Sequence, residues 1–137
     1  MRNLILPASL LVALGGCDIV DPEFETELGA VFFFSNPPQI TIPDTVAAGQ
    51  PFTVTVHTFG NGCVEFARTE VEEDENTVEI RPYDRIETDR ACEEILKTID
   101  HSVTLRFGVS GPMTVRVVGK RMPNDDLHSF EKRVIAH

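Results

Sequence analysis

Three cysteines, four histidines and one dense run of carboxylates are the groups in this chain with chemistry to offer. A thiol can be acylated, paired or metallated, and imidazoles and carboxylates can hold a metal or move a proton. Spacing limits each option. His57, His101, His128 and His137 stand apart, with none of the HxH, HExxH or paired-cysteine patterns that a zinc site leaves in a sequence. Strand alternation would turn His57 outward with Thr53 and Thr55. The run Glu70, Glu72, Glu73, Asp74 and Glu75 supplies oxygens, but a calcium loop needs acids at alternate positions and a glycine at its bend. It reads as a solvated hairpin tip whose charge discourages edge-to-edge pairing. No pair of carboxylates and no Ser/His/Asp or Cys/His set can be defended from spacing. The expectation is no catalytic residue, no metal and no cofactor: not an enzyme.

Cys17 differs from the other two cysteines because of what precedes it. Arg2 is followed by the apolar run Leu4 to Leu14 and then by Gly15-Gly16. As a helix that run rises about 16 Å, roughly half a bilayer core, so an export signal fits better than a membrane span. Leu14-Gly15-Gly16-Cys17 resembles the lipobox of bacterial lipoproteins. The resemblance implies diacylglycerol on the Cys17 sulfur, cleavage before Cys17, and an acyl chain such as palmitate on the new amine. Each buried methylene contributes about 0.8 kcal/mol, and two or three chains hold where one would not. With Cys17 acylated, Cys63 and Cys92 are left for an oxidising compartment, either as a single disulfide or as two buried thiols. The expected location is the bacterial cell envelope, anchored to a membrane and facing the periplasm or the exterior. The choice between inner and outer membrane stays open.

Composition agrees with an anchored rather than an adsorbed protein. The net charge is −10, and removing residues 1–16 deletes Arg2 and no acid. That balance disfavours nucleic acid, whose phosphates require Lys and Arg, and disfavours adsorption to anionic lipid heads. The length after cleavage suits one domain.

The remaining residues supply the elements that must carry these groups. Residues 17–29 form a lipidated cysteine and an acidic stretch without apolar period, expected to be a flexible tether. From 30 to 137 a β-sandwich domain is expected. "AVFFF" (30–34), "QITI" (39–42) and "PFTVTVHTF" (51–59) read as strands, the first two at an edge because of Pro37, Pro38 and Pro43. "CVEFARTEV" (63–71) and "TVEIRPY" (77–83) flank an acidic hairpin tip. "SVTLRF" (102–107) and "MTVRVVG" (113–119) alternate apolar residues inward and are expected to pair across "VSGP". Residues 120–129 read as a loop and "FEKRVIA" (130–136) as a closing strand. The segment 89–99 fits a helix capped by Asp89 or a strand.

About seven short strands with no long helix predict an antiparallel, all-β sandwich. "IPDTVAAGQPFTVTV" (42–56) resembles the opening of bacterial immunoglobulin-like domains. With no Trp in the chain, and Cys92 in a connection, the resemblance extends to architecture and not to the antibody-type core disulfide. "GVSGP" (108–112) resembles the nucleophile region of trypsin-like proteases, but a turn between strands accounts for Gly108, Gly111 and Pro112. Phe32, Phe33 and Phe34 would place aromatics on both faces of one strand, and are the candidate contact for a partner. The expected function is non-catalytic binding of an envelope protein, peptide or glycan. A structural subunit of an envelope complex and a small periplasmic hydrolase are the alternatives.

Overall fold

Alternation of apolar and polar residues organises the long strands of the computed structural model, which describes residues 23–36, 38–122 and 124–137. The signal segment and Cys17 lie outside the described residues. Ten strands are present among those described: β1 Phe24–Leu28, β2 Ala30–Val31, β3 Ile40–Thr41, β4 Thr45–Val46, β5 Pro51–Gly60, β6 Val64–Asp74, β7 Thr77–Glu87, β8 Lys97–Arg106, β9 Gly111–Arg121 and β10 Asp126–Ala136. Among these residues no helix is long and apolar enough to cross a membrane.

The strands form one curled sheet that folds into two facing layers. One layer carries β6, β7, β9, β10 and β4 in order, with β1 taking the far part of β7's edge. The other carries β8, β5 and β3. β2 joins them, since Ala30 pairs with both Phe59 of β5 and Lys120 of β9. Pairing is mostly antiparallel, but β7–β9, β2–β9 and β10–β4 are parallel. Inside lie Val54 and Val56 of β5, Val78 and Ile80 of β7, Leu105 of β8, Val115 and Val117 of β9 and Val134 of β10, all buried. Each occupies alternate positions of its strand, as a sheet with one solvated face requires.

Several expectations need correction. The acidic stretch does not continue as a tether through residue 29. Phe24 to Leu28 pair with Tyr83 to Glu87, and Glu27 ion-pairs with Lys120, so the stretch is held by a ladder to β7 and by an ion pair to β9. "AVFFF" yields only a two-residue strand, and it lies between β5 and β9 rather than at an edge. Residues 102–107 and 113–119 face inward as expected but do not pair with each other. β8 pairs with β5 and β9 with β10, because two runs on opposite layers can both bury the same parity without sharing a ladder. Residues 120–129 are mostly ladder: β9 and β10 stay hydrogen-bonded out to Arg121 and Asp126. Segment 89–99 is no helix; residues 89–96 are irregular and β8 begins at Lys97.

Gly29 sits where the chain leaves β7 for β9, its N–H donating to the Pro82 carbonyl and its carbonyl accepting from Lys120. A Cβ there would lie 2.4 Å from Thr58 Cγ2 and 2.9 Å from Asp84 Oδ2. Only glycine lets the backbone cross so close to both.

Candidate functional site

The inward alternation of β7 runs Val78, Ile80, Pro82 and then Asp84, and that of β8 runs Ile99, His101, Val103 and Leu105. Each strand thus places one ionisable side chain in an interior position. They meet: His101 Nε2 is 2.7 Å from Asp84 Oδ1, and His101 Nδ1 is 2.7 Å from Thr69 Oγ1 of β6. His101 is fully buried, Asp84 nearly so, and the Phe66 ring lies 4.9 Å from the imidazole. Carboxylate, imidazole and hydroxyl stand in the order of a proton relay. Using it would require a substrate at the hydroxyl, and Phe66 and the layers themselves cover the imidazole. The set also bridges two strands that share no ladder. Among the described residues β6 pairs only with β7 and β8 only with β5, so their free edges face each other, and this buried chain of hydrogen bonds links them. The disulfide Cys63–Cys92, with sulfurs 2.00 Å apart, links the same two sides near the start of β6. Asp84 Oδ2 and Thr58 Oγ1 are also buried, and have no hydrogen-bond partner among the described residues.

A β-bulge between Phe66 and Arg68 makes this arrangement possible. It spaces the inward residues Phe66 and Thr69 three apart, so both reach His101, while Arg68, Glu70 and Glu72 turn outward.

The outward face of β6, β7, β9 and β10 carries the exposed chemistry. Register places Glu72 opposite Glu79, Glu79 beside Arg116, and Arg116 opposite Glu131, a row across four strands. The neighbouring row begins with Glu70 opposite Arg81. Between these side chains runs a shallow trough. One part, about 440 Å³, is lined by Arg81, Arg116, Val118, His128 and Glu131 among others. A second, about 500 Å³, extends over Glu72, Asp74, Thr77 and Glu79 toward the hairpin tip. Arg116 Nε donates to Glu131 Oε1 at 2.7 Å, and Arg81 Nη2 to Glu79 Oε2 at 3.2 Å. The Glu79 carboxylate is the main reason that the Arg81 guanidinium is held above its ordinary pKa. Arg81 Nε has no hydrogen-bond partner among the described residues. Arg68 lies over the Tyr83 ring, 4.4 Å from its centroid. Beyond the trough, Arg85 holds the Glu65 carboxyl below its ordinary value, first through a hydrogen bond and then through charge.

The residues singled out from sequence are dispersed. Cys17 is outside the described residues, and Cys63 and Cys92 are disulfide-bonded. Phe32, Phe33 and Phe34 separate rather than share a strand. Phe32 packs edge-on against Phe59, Phe33 enters the core, and Phe34 projects into solvent near His128. His57 turns outward and contacts Asp100. Among the described residues no group of three or more His, Cys, Asp or Glu is placed to hold a metal. Sequence reasoning missed Asp84, His101 and the Arg81–Arg116 pair. The signal was present: one polar residue in each of two otherwise apolar alternations.

Two facing layers, a filled interior and a charged outer sheet make this an all-β sandwich. Residues 51–132, from β5 into β10, match the family model described as the ORF11 beta-sandwich domain. The chain belongs to that family. No curated protein and no solved structure matches it.

Proposed function

We propose that the protein is a lipid-anchored bacterial envelope protein whose sandwich is a non-catalytic module for binding a protein or peptide. The anchor rests on Leu14-Gly15-Gly16-Cys17 and the short apolar run before it. The binding reading rests chiefly on the outer trough, and above all on the two guanidinium groups, Arg81 and Arg116, that line one part of it together. Guanidinium forks suit carboxylates and main-chain carbonyls, which a polypeptide supplies in series. The Asp84–His101–Thr69 set supports no turnover, since its imidazole is fully buried.

Chemical crosslinking in membranes followed by purification tests the trough. Wild type should bring down a defined partner, and Arg81→Ala/Arg116→Ala should lose it, by about 30-fold or more in affinity for contact residues worth 2 kcal/mol. Unchanged recovery of the same crosslinks from the double variant would exclude the trough. Separately, Cys17→Ser should move the protein to the soluble fraction and abolish palmitate labelling.

A further inference from the structure

The strand registers put the point where the chain enters the sandwich at one particular end. Phe24 pairs with Glu87 at the end of β7, and the Thr88 N–H donates to the Glu23 carbonyl. β6 starts and β5 finishes at this end, since Val64 pairs with Ile86 and Gly60 with Lys97. β9 runs parallel to β7, so its last residues and the start of β10 emerge here too. Between Cys17 and Glu23 a fully extended chain spans at most about 20 Å. If Cys17 is acylated, this end is held against the bilayer.

That same end displays bare apolar side chains. In the connection from β7 to β8, Leu96 is 72% exposed and Ile95 52%. The connection is pinned beside the anchor by the Cys63–Cys92 disulfide and by the Gly62 N–H donating to the Glu93 carbonyl. Where β10 starts, at the mouth of the trough, Leu127 is 72% exposed, and Phe34, against His128 of the same strand, is 78% exposed. The acidic hairpin tip, Glu73 to Glu75, lies at the opposite end, where β6 finishes and β7 begins.

We infer that this end is a bilayer-docking surface: Ile95, Leu96, Leu127 and Phe34 enter the lipid interface and hold the sandwich upright. This rests on the lipid-anchor reading. The acyl chains supply attachment, and the four side chains supply orientation by burying apolar area at the headgroup boundary. The trough then runs up the side of an upright domain, with Leu127 at its lipid-facing mouth and the part over Glu72, Asp74 and Thr77 farther from the bilayer.

The chain contains no Trp, so single tryptophans report without background. The full-length acylated protein, as Leu96→Trp or Leu127→Trp, is reconstituted in phosphatidylethanolamine–phosphatidylglycerol vesicles with acyl chains brominated. Val109→Trp, at the opposite end in the turn between β8 and β9, is the control, since Val109 is 76% exposed. The two docking-end variants should shift to shorter wavelength and lose most of their emission to bromine, while the control should do neither. If the protein floats with vesicles but Leu96→Trp and Leu127→Trp are quenched no more than the control, docking is wrong and the anchor stands. If their emission shifts without quenching, protein rather than lipid covers the end and docking is again wrong. If wild type does not float, both readings fall.

Discussion

Removing His101 is the sharpest probe of what the buried hydrogen-bond chain contributes. His101→Leu deletes the partners of Asp84 Oδ1 and Thr69 Oγ1. Thr69 is half-buried, so water can take over its lost bond. Asp84 is only 2% exposed, and its Oδ2 already has no partner among the described residues, so the variant leaves an isolated carboxyl in the interior. Removing one partner of a buried, hydrogen-bonded acid–base pair costs about 3–5 kcal/mol. Asp84→Val removes the partner of the buried His101 Nε2 and leaves the imidazole only Thr69. The double variant, Asp84→Val/His101→Leu, leaves no ionisable group to strand, and apolar replacement of such pairs is typically neutral or mildly stabilising. The two single losses should therefore sum to far more than the loss in the double variant. Urea unfolding followed by far-UV circular dichroism measures this. With a slope near 2 kcal/mol/M, each single variant lowers the midpoint by about 2 M while the double variant moves it much less. Additive losses would refute the reasoning, because they would mean that neither group depends on the other for its burial.

Two further outcomes follow from geometry elsewhere. Cys63→Ala/Cys92→Ala opens a link with a sequence separation of 29, and the chain-entropy account predicts a loss of about 3.6 kcal/mol, read from the urea midpoint of the variant against oxidised wild type. The lowered Glu65 carboxyl adds stability above its ordinary titration range, and that stability is lost as pH falls through the lower folded value; Arg85→Gln should return the Glu65 midpoint toward 4.5 in a carboxyl-carbon NMR titration, and the stability difference between variant and wild type should shrink as pH falls below that range.

What could be read from the chain depended on whether a feature was local. The hairpin of β6 and β7 around its acidic turn follows from neighbouring residues, as do the inward faces Val54/Val56, Leu105/Phe107 and Val115/Val117. Alternation fixes which face a residue takes, but not which strand lies beside it. Hence "SVTLRF" and "MTVRVVG" read as a hairpin, although they belong to opposite layers. β1 was illegible for a different reason. Its residues look solvated until Lys120 pairs with Glu27 and Arg85 covers the Phe24 ring, both from far along the chain. His101 and Asp84 were hidden by composition: a lone histidine or aspartate in a strand usually points to water, and only their placement in the interior parity of β8 and β7 argues otherwise. The outer trough needs four strands in register, so no single stretch of sequence could show it.

The buried pair and the exposed trough are bound to each other through β7. Along this strand Asp84, Pro82 and Ile80 face inward while Arg81 and Glu79 face outward. A slip of one residue would put Asp84 in solvent and drive Arg81 and Arg85 into the core. Such a slip would also separate Asp84 from His101, stranding the imidazole. The hydrogen bond between them therefore selects one register of β7 against β8's layer. The bulge at Phe66–Arg68 then sets β6, so that Glu70 and Glu72 meet Arg81 and Glu79. On this view, conserving the volume of the pair while removing its polarity could leave stability intact and still blur the trough. The double variant should then unfold near the wild-type midpoint but show broadened or doubled amide resonances at Glu79, Arg81 and Arg116. Sharp single resonances at unshifted positions would mean that core packing alone fixes the register.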